Sequence, residues 1–443
     1  MKTMNKQHFL LFILISLFII SSCTNEKKQE EDDKQQPIKV ELKKENGKYQ
    51  LYCDGKPFYI KGAGLEFGNM ESLAKYGGNA FRTWRVDNGK QTGREVLDEA
   101  QKHGLLVCMG IEVGRERHGF DYDDPEAVQK QFDQIKKDVL ELKDHPALMM
   151  WGIGNELNLH YENDKVWDAV NDIAAMIHEV DPNHLTTTML AGAGKKEISL
   201  IAEKCPDLDF VSFQLYGDIV NLPKYITESN YEGAYIVSEW GATGHWEVAR
   251  TEWDRPIEQN SHEKALAYHE RYLKVIASDP DHCIGSFVFL WGQKQERTPT
   301  WYGVFLENGD KTEAVDVMQY VWTGKWPDNR APEMISMTLD GKTAYENVYL
   351  KAGNEYSAST SVEEPDGDPL QYRWTIMKEV PRDQQSDGGD FEQKPNTILV
   401  IEGGDVDNEI TFEAPSAGEY RLFVYASDGK GSSATANIPF MVK

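Results

Sequence analysis

Cysteine is scarce in this chain of 443 residues, and the spacings that bind zinc are missing. Five cysteines are present without any CxxC or HExxH pattern. Four of them are scattered through predicted elements and are expected to be small buried hydrophobes. A glycine-rich phosphate loop and a GxSxG nucleophile turn are also missing. The sequence therefore offers no support for a zinc site, a phosphate-loop enzyme or a serine hydrolase of that type.

Positive charge is in short supply. The chain has 47 Lys and Arg residues against 73 Asp and Glu residues, which gives a net charge of −26 at pH 7. Nucleic-acid-binding proteins need a basic surface for the phosphate backbone, so a chain this acidic is a poor partner for nucleic acid, and we expect none. It also argues against a polyanionic substrate, since the overall field repels anions.

One long apolar run, Phe9–Ile20, follows Lys2 and Lys6 and precedes Cys23. This order is typical of a secretory signal, so residues 1–23 are excluded from the fold, and the run is too short to span a bilayer comfortably. The ending Ile-Ser-Ser-Cys resembles the lipobox of bacterial lipoproteins. The resemblance implies lipidation of Cys23, anchoring without spanning, and a place at the outer membrane or cell surface of a gram-negative bacterium. The alternative is an ordinary cleaved signal or an anchor, in either of which Cys23 is incidental.

Residues 24–38 have almost no apolar side chains and are predicted to form a disordered tether. The remainder is long enough for one large domain and one small domain. It begins with two alternating runs on either side of Asn46-Gly47, which predicts a β-hairpin. We expect this hairpin to cover the bottom of the large domain.

Eight short apolar runs then alternate with amphipathic segments of helical spacing. The predicted strands are Tyr59–Leu65, Ala80–Val86, Leu105–Val113, Ala147–Glu156, Thr186–Leu190, Phe210–Tyr216, Ala234–Glu239 and Ile284–Trp291. The predicted helices are Met70–Tyr76, Gly93–His103, Pro125–Leu142, Lys165–Val180, Ile198–Lys204, Leu222–Thr227, His262–Ala277 and Glu313–Trp322. The number and length of these units predict an α/β fold, a (β/α)8 TIM barrel over residues 39–326 including the hairpin. The unpatterned stretch Gly241–Ser261 is expected to be a substrate-binding loop.

Beyond residue 326 the pattern changes to short strands separated by turns. These strands are Met334–Leu339, Tyr356–Thr360, Leu370–Ile376, Ile398–Ile401, Ile410–Ala414, Tyr420–Ala426 and Ala434–Phe440. Seven short strands predict an all-β, immunoglobulin-like sandwich over residues 327–443. Its acidic turn Glu363–Asp368 is either a solvated turn or, as in cadherin-like domains, a calcium site.

Two predicted barrel strands end on glutamates, Glu156 on strand four and Glu239 on strand seven. In such barrels the chemistry lies at the C-terminal ends of the strands. Two carboxyl groups at one mouth suit glycoside hydrolysis, in which an acid protonates the leaving oxygen and a carboxylate acts at the anomeric carbon. Tyr216 ends the neighbouring strand six and is expected to favour an ionised Glu239. Glu239 is therefore predicted to be the nucleophile and Glu156 the acid/base.

Polar residues on other strands are candidates for substrate binding. Arg82 either holds a catalytic carboxylate ionised or is a structural ion-pair partner. Asn155 is expected to bind the sugar 2-hydroxyl. Glu112 ends strand three and either binds a sugar hydroxyl or pairs with an arginine. His118 and His160 are weaker candidates on loops.

Several tryptophans are candidates for sugar platforms, because aromatic faces stack on the C–H faces of pyranose rings. The candidates are Trp84, Trp240, Trp246, Trp253 and Trp301, for each of which packing is the alternative, and Trp291, which otherwise belongs to the core.

The motifs together resemble the clan-A glycoside hydrolases, barrels with catalytic glutamates on strands four and seven. The similar segments are Trp151–Glu156, Ser238–Gly241, Phe81-Arg82 and Trp291-Gly292. The resemblance implies an acid/base at Glu156, a nucleophile at Glu239, and a tryptophan on strand eight that floors the subsite. One departure is Gln214-Leu215-Tyr216, where many members have His-x-Tyr, which leaves Gln214 without an assigned role.

The combination of barrel and sandwich, with Gly114–Gly119 after strand three, also resembles bacterial endo-β-1,3-glucanases such as glycoside hydrolase family 158. We therefore predict a retaining endo-acting hydrolase of a neutral β-glucan, with a polysaccharide or oligosaccharide substrate and no metal or organic cofactor. An exo-acting clan-A enzyme similar to β-mannosidases or β-galactosidases, a non-catalytic glycan-binding lipoprotein and a transglycosylase are the alternatives. Retention requires the two carboxyl groups to lie ~5–5.5 Å apart.

Overall fold

The computed structural model describes residues 36–386, 390–403 and 407–443. The predicted signal segment, the lipidation site Cys23 and all but the last three residues of the predicted tether lie outside these ranges. Within them, none of the helices combines the length and the apolar character that crossing a bilayer requires.

Eight parallel strands close into a barrel in chain order, which confirms the predicted fold class. We number them barrel strands one to eight. They are Ile60–Gly64, Ala80–Arg82, Leu106–Ile111, Leu148–Asn155, Leu185–Ala191, Phe210–Gln214, Tyr235–Trp240 and Cys283–Val288. Strand two is shorter than predicted, since its ladder ends at Arg82 and not at Val86.

Eight α-helices accompany the barrel. They are Met70–Lys75, Gly93–Lys102, Pro125–Leu142, Lys165–Val180, Lys195–Lys204, Leu222–Ser229, Ser261–Arg271 and Glu313–Thr323. Side-chain caps fix several starts: Thr92 and Glu95 form a capping box, and Asp124 caps the helix that begins at Pro125. The seventh helix was predicted to reach Ala277, but its last turn, Tyr272–Ile276, has π-helical hydrogen bonds.

The predicted hairpin closes the bottom of the barrel. Its strands are Val40–Glu45 and Lys48–Cys53, followed by a third short strand, Lys56–Phe58. Asn46 and Gly47 both have positive φ (54° and 88°), as the two-residue hairpin turn requires. Val40 and Leu51 are buried in a cluster with Ile60 and the lower residues of the other barrel strands. The hairpin therefore plugs the end of the barrel opposite the C-terminal ends of its strands.

The C-terminal residues form two packed β-sheets, as expected for a sandwich. One sheet contains Glu333–Leu339, Glu355–Glu363 and Glu409–Glu413. The other contains Val348–Leu350, Ser433–Val442, Gly418–Ser427, Gln371–Lys378 and Thr397–Glu402. The sequence missed Val348–Leu350 because a three-residue strand is too short for a pattern. In the acidic turn, Asp366 accepts the N–H of Arg330 and Asp368 pairs with Lys430.

The stretch Gly241–Ser261, predicted to bind substrate, mostly joins the barrel to the sandwich. Buried Glu258 accepts hydrogen bonds from Lys264 (2.5 Å), Thr298 (2.6 Å) and Asn437 (2.7 Å). Asn437 belongs to the sandwich and the other two donors belong to the barrel, so the carboxylate of Glu258 is hydrogen-bonded to both domains. Trp253, a candidate for either a sugar platform or packing, packs on Tyr349 of the sandwich at 5.1 Å.

Candidate active site

The C-terminal mouth of the barrel contains a cavity of about 630 Å³. Glu156 and Glu239 both line it, although 83 positions separate them in the chain. They meet because parallel strands in a closed barrel all end at one rim. The structure therefore brings the two predicted catalytic glutamates together, and their roles remain predictions.

Glu239 is surrounded by hydrogen-bond donors. Its Oε1 accepts from Arg82 Nη1 (3.0 Å), Trp84 Nε1 (2.8 Å) and Gln214 Nε2 (3.1 Å). Its Oε2 accepts from the hydroxyl of Tyr216 at 2.8 Å. Burial, with the nearby charge of Glu239, raises the pKa of Tyr216 well above its usual value, so this hydroxyl stays a donor. Four donors suit a carboxylate, which accepts only.

Arg82 connects the ends of three strands. Its side chain is buried on strand two, and its Nη2 donates to Asn155 Oδ1 on strand four at 2.7 Å. Its Nη1 reaches the carbonyl of Ser238 on strand seven at 3.3 Å. Gln214 also donates to Asn155 Oδ1, at 2.8 Å. With its oxygen fixed by two donors, Asn155 keeps its amide nitrogen for a ligand.

The backbone at Glu156 is held in an unusual conformation. Its φ is 52°, in the left-handed region that non-glycine residues adopt rarely and at some cost. Its N–H donates to the carbonyl of Met189 at 2.9 Å, and its own carbonyl accepts from Arg117 Nη1 at 2.8 Å. Arg115 Nε donates to the preceding carbonyl, that of Asn155, at 3.2 Å. The loop after strand three therefore fixes the end of strand four.

The carboxyl of Glu156 lies in a different electrostatic environment from that of Glu239. Burial is the main cause that raises its pKa to about 7, and the charge of Glu239 adds to it. Arg117, Arg115 and Arg82 act in the opposite direction. A carboxyl that keeps its proton near neutral pH suits a general acid, and two carboxyls with divergent environments are the usual basis for dividing acid and nucleophile roles.

The predictions that Trp240 and Trp291 bind substrate are wrong, because both rings are buried. Side chains alternate along a strand, which accounts for Trp240. Glu239 faces the cavity, so the next residue, Trp240, points outward and packs against Tyr268 and Tyr272 at 5.7 and 6.0 Å. Trp291 lies at the cavity edge, but its ring is fully buried and its Nε1 donates to Ser72 Oγ at 2.9 Å. Neither ring is available to a sugar.

Phe289 takes the place that was predicted for Trp291. Its ring lines the cavity and stands edge-on to Trp84 (5.7 Å), Tyr216 (5.9 Å) and Tyr302 (5.8 Å). Its position two residues before Trp291 gave no separate signal in the sequence. Among the other candidates, Trp84 and Trp246 line the cavity.

The remaining candidates divide between the cavity and its surroundings. Glu112 and His118 line the cavity, and Glu112 is exposed there. Trp301 is buried and donates to the carbonyl of Thr243, so of its two alternatives the structure shows packing. His160 is exposed and does not belong to the cavity lining.

Gln214 is the main residue that the sequence left without a role. Its amide donates both to Asn155 and to Glu239, which places it between strands four and seven. The sequence did contain a sign of this role, because Gln214 stands where many clan-A members have the histidine of His-x-Tyr, and both side chains can donate a hydrogen bond. Only the structure shows where that donor points.

A closed (β/α)8 barrel with such a pair of glutamates on strands four and seven defines the class of the clan-A glycoside hydrolases. Residues 75–288 match the family model for the TIM barrel domain of glycosyl hydrolases family 2. The β-glucuronidase of Chlorocebus aethiops is 23% identical over 219 residues, which cover 44% of this chain and 32% of that protein. Mannan endo-1,4-beta-mannosidase F of Aspergillus clavatus is 27% identical over 158 residues, which cover 29% of this chain and 36% of that protein.

This chain spans about a third of the length of these curated relatives. Among solved structures, the β-glucuronidase of Bifidobacterium dentium complexed with coumarin-3-O-glucuronide aligns with a TM-score of 0.50 and 17% identity, over 66% of this chain and 50% of that one. That likeness concerns the fold alone. The family match and the curated relatives show that the barrel is similar to those of glycoside hydrolases.

Proposed function

We propose that the protein hydrolyses a neutral β-glucan by double displacement. Glu239 attacks the anomeric carbon while Glu156 gives its proton to the leaving oxygen. Glu156 then removes a proton from the water that releases the sugar from Glu239. The observation that carries this proposal is the contrast within one cavity: Glu239 accepts four hydrogen bonds, whereas burial raises the pKa of Glu156 to about 7.

The retaining outcome is tested by the configuration of the first product. Attack by Glu239 inverts the anomeric carbon, and attack by water on the glycosyl-enzyme inverts it again, so the product keeps the anomeric configuration of the substrate. Proton NMR during the first minutes of hydrolysis, before mutarotation, separates the β-anomer from the α-anomer. An initial α-anomer from a β-glucan would contradict nucleophilic attack by Glu239.

A neutral substrate is favoured by the charges of the cavity. Each cationic side chain in its lining has an acidic partner: Arg85 pairs with Glu66 at 2.5 Å and Lys294 with Glu296 at 2.7 Å. Arg115 lies 3.9 Å from Asp390. A uronic acid would have to compete with these carboxylates for a cation, whereas hydroxyl groups would not.

Internal cleavage of a chain is supported by aromatic rings on separate loops of the mouth. Phe67 follows strand one, Trp84 follows strand two and Trp246 follows strand seven, and all three line the cavity. This is more ring surface than one sugar residue uses. The β-1,3 linkage rests on the resemblance of Gly114–Gly119 and the domain order to endo-β-1,3-glucanases.

A panel of laminarin, mannan, cellulose oligomers and an aryl β-glucuronide tests the substrate. Mannan is included because one relative is a mannan endo-1,4-beta-mannosidase. We expect laminarin to be cut into a ladder of oligosaccharides. Release of monosaccharide alone would identify an exo-acting enzyme, and retention of glycan without any cleavage would identify a binding protein.

We also propose that Cys23 carries lipid and anchors the protein at the cell surface. The support is the signal-like segment that ends at this cysteine. Metabolic labelling with a palmitate analogue, compared between wild type and Cys23→Ala, tests it. Labelling that persists in the variant would contradict the proposal.

A further inference from the structure

The wall of the catalytic cavity extends beyond the barrel. Asp390, Phe391 and Glu392, which belong to the sandwich, line the same cavity as Glu156 and Glu239. Nothing in the sequence connects these residues with the barrel strands, because more than 150 positions separate them from Glu239. We call residues 390–392 the wall segment.

The wall segment is anchored at both ends. The side chain of Glu392 is completely buried and accepts from Arg297 N (2.6 Å), Arg297 Nη1 (2.6 Å) and Gln295 Nε2 (3.1 Å), on the loop after strand eight. Asp390 Oδ2 lies 3.0 Å from His118 Nε2, on the loop after strand three. The segment therefore connects two separate loops of the barrel mouth.

Phe391 lies between these two anchors, and its ring is exposed to solvent. It is 85% exposed, the highest value among the large hydrophobic side chains that the structure describes as exposed. Burying a phenylalanine contributes roughly 1.5–3 kcal/mol, and this ring gains almost none of that. Packing therefore does not account for an aromatic residue at this position.

Exposed aromatic rings concentrate at this cavity. Among the described residues, the strongly exposed aromatic side chains are Phe67, Trp246, Trp326, Tyr345 and Phe391. Three of the five line the cavity. An exposed apolar patch with a polar rim is typical of a binding surface.

We propose that Phe391 is a platform for a pyranose ring of the substrate, so that the sandwich domain completes the substrate-binding cleft. This inference rests on the proposed function and names a subsite of it. Among the described residues, the hydrogen bonds to Glu239 come from the barrel, and Phe391 of the sandwich only lines the same cavity. We therefore assign Phe391 to a sugar residue away from the bond that is cleaved, so that it matters for chains and not for a single glycoside.

The test compares three variants of the full chain. Phe391→Ala removes the platform, Phe391→Trp keeps an aromatic face, and Tyr345→Ala removes an exposed aromatic of the sandwich that does not line the cavity. We expect Phe391→Ala to lower kcat/KM on laminarin about tenfold, mostly through KM, since one lost ring contact is worth about 1.4 kcal/mol. On an aryl β-glucoside, which is too short to reach Phe391, kcat/KM stays within about twofold.

Phe391→Trp and Tyr345→Ala are expected to match wild type on both substrates. Thermal unfolding of Phe391→Ala is also expected to match, because an exposed ring contributes little to stability. Equal kcat/KM of Phe391→Ala and wild type on laminarin would overturn the inference. An equal loss on laminarin and on the aryl glucoside would also overturn it, since that would show a disturbed catalytic centre.

Binding is measured separately from cleavage, by electrophoresis in gels that contain laminarin or mannan. Wild type is expected to be retarded, and Phe391→Ala to be retarded less. If wild type cleaves no glycan, the proposed function fails. The gel then still tests whether Phe391 binds glycan. Absence of retardation of wild type in both gels, or equal retardation of wild type and Phe391→Ala, would refute the platform.

Discussion

Arg82 Nη1 lies 3.0 Å from Glu239 Oε1, and the two side chains are only 1% and 7% exposed. The pair joins strands two and seven across the barrel mouth, and Arg82 extends it to Asn155 on strand four. A buried ion pair of this kind adds little net stability, but removing one partner leaves a charge without compensation. The pair therefore fixes the geometry of the mouth, and each partner can be tested alone.

Replacing Glu239 with glutamine removes the proposed nucleophile and keeps an oxygen that accepts hydrogen bonds. We expect kcat/KM to fall by at least about 1,000-fold, because no carboxylate remains to attack the anomeric carbon. Steady-state kinetics on the best substrate of the panel measure the loss. Glu112→Gln is a matched control in the same cavity, and its effect is expected to stay below about tenfold. Normal turnover of Glu239→Gln would refute the assignment.

Replacing Arg82 with methionine leaves Glu239 as a buried carboxylate without its ion-pair partner. The expected loss of stability is about 3–5 kcal/mol, the usual result of breaking a buried pair. Denaturant unfolding measures it. In the double variant Arg82→Met/Glu239→Gln the loss should be smaller than in Arg82→Met alone, because the uncompensated charge has gone. Additive losses would show that the pair is not coupled.

The proposed role of Glu156 as the general acid predicts how activity depends on pH. Burial and Glu239 raise its pKa to about 7, so the acid form is present below that pH and is lost above it. We expect kcat/KM to fall about tenfold per pH unit on the alkaline side of pH 7. A pH profile of kcat/KM measures this limb, and it should disappear in Glu156→Gln, whose residual rate is low. A limb that persists unchanged in the variant would belong to another group.

The same shift in the pKa of Glu156 has a consequence for stability. The folded-state pKa is raised above the ordinary value of 4.5, so the folded protein binds more protons than the unfolded chain between those values. The stabilisation is therefore complete below pH 4.5 and is lost as the pH rises to about 7. We expect Glu156→Gln to gain stability relative to wild type at pH 8, by at most about 3 kcal/mol, and not at pH 4.5. Thermal unfolding at the two pH values measures the difference.

Gln214 positions both Asn155 and Glu239, so its removal should affect chemistry more than binding. We expect Gln214→Leu to lower kcat about 100-fold with a small change in KM, because the shape is kept and both hydrogen bonds are lost. Gln214→His, which restores a ring N–H donor, is expected to recover part of the loss. An effect on KM alone would show that Gln214 binds substrate and does not position Glu239.

The sequence by itself determined the local features of this protein. Apolar runs and caps are read from neighbouring residues, so the barrel strands, most helices and the hairpin at Asn46-Gly47 were predicted close to their observed bounds. The two glutamates could be found for the same reason, since a parallel strand that ends on a polar residue carries its side chain to the rim of the barrel.

Only the tertiary structure decided what depends on direction and on distant contacts. The alternation of side chains along strand seven points Trp240 away from the cavity. Trp291 packs against Trp322 of the last helix and donates to Ser72 of the first, and Phe289 lines the cavity. Gln214 and the wall segment joined the site through contacts across the barrel mouth and between domains. Such contacts form only when the chain closes on itself, and no local pattern encodes which side chain then faces inward.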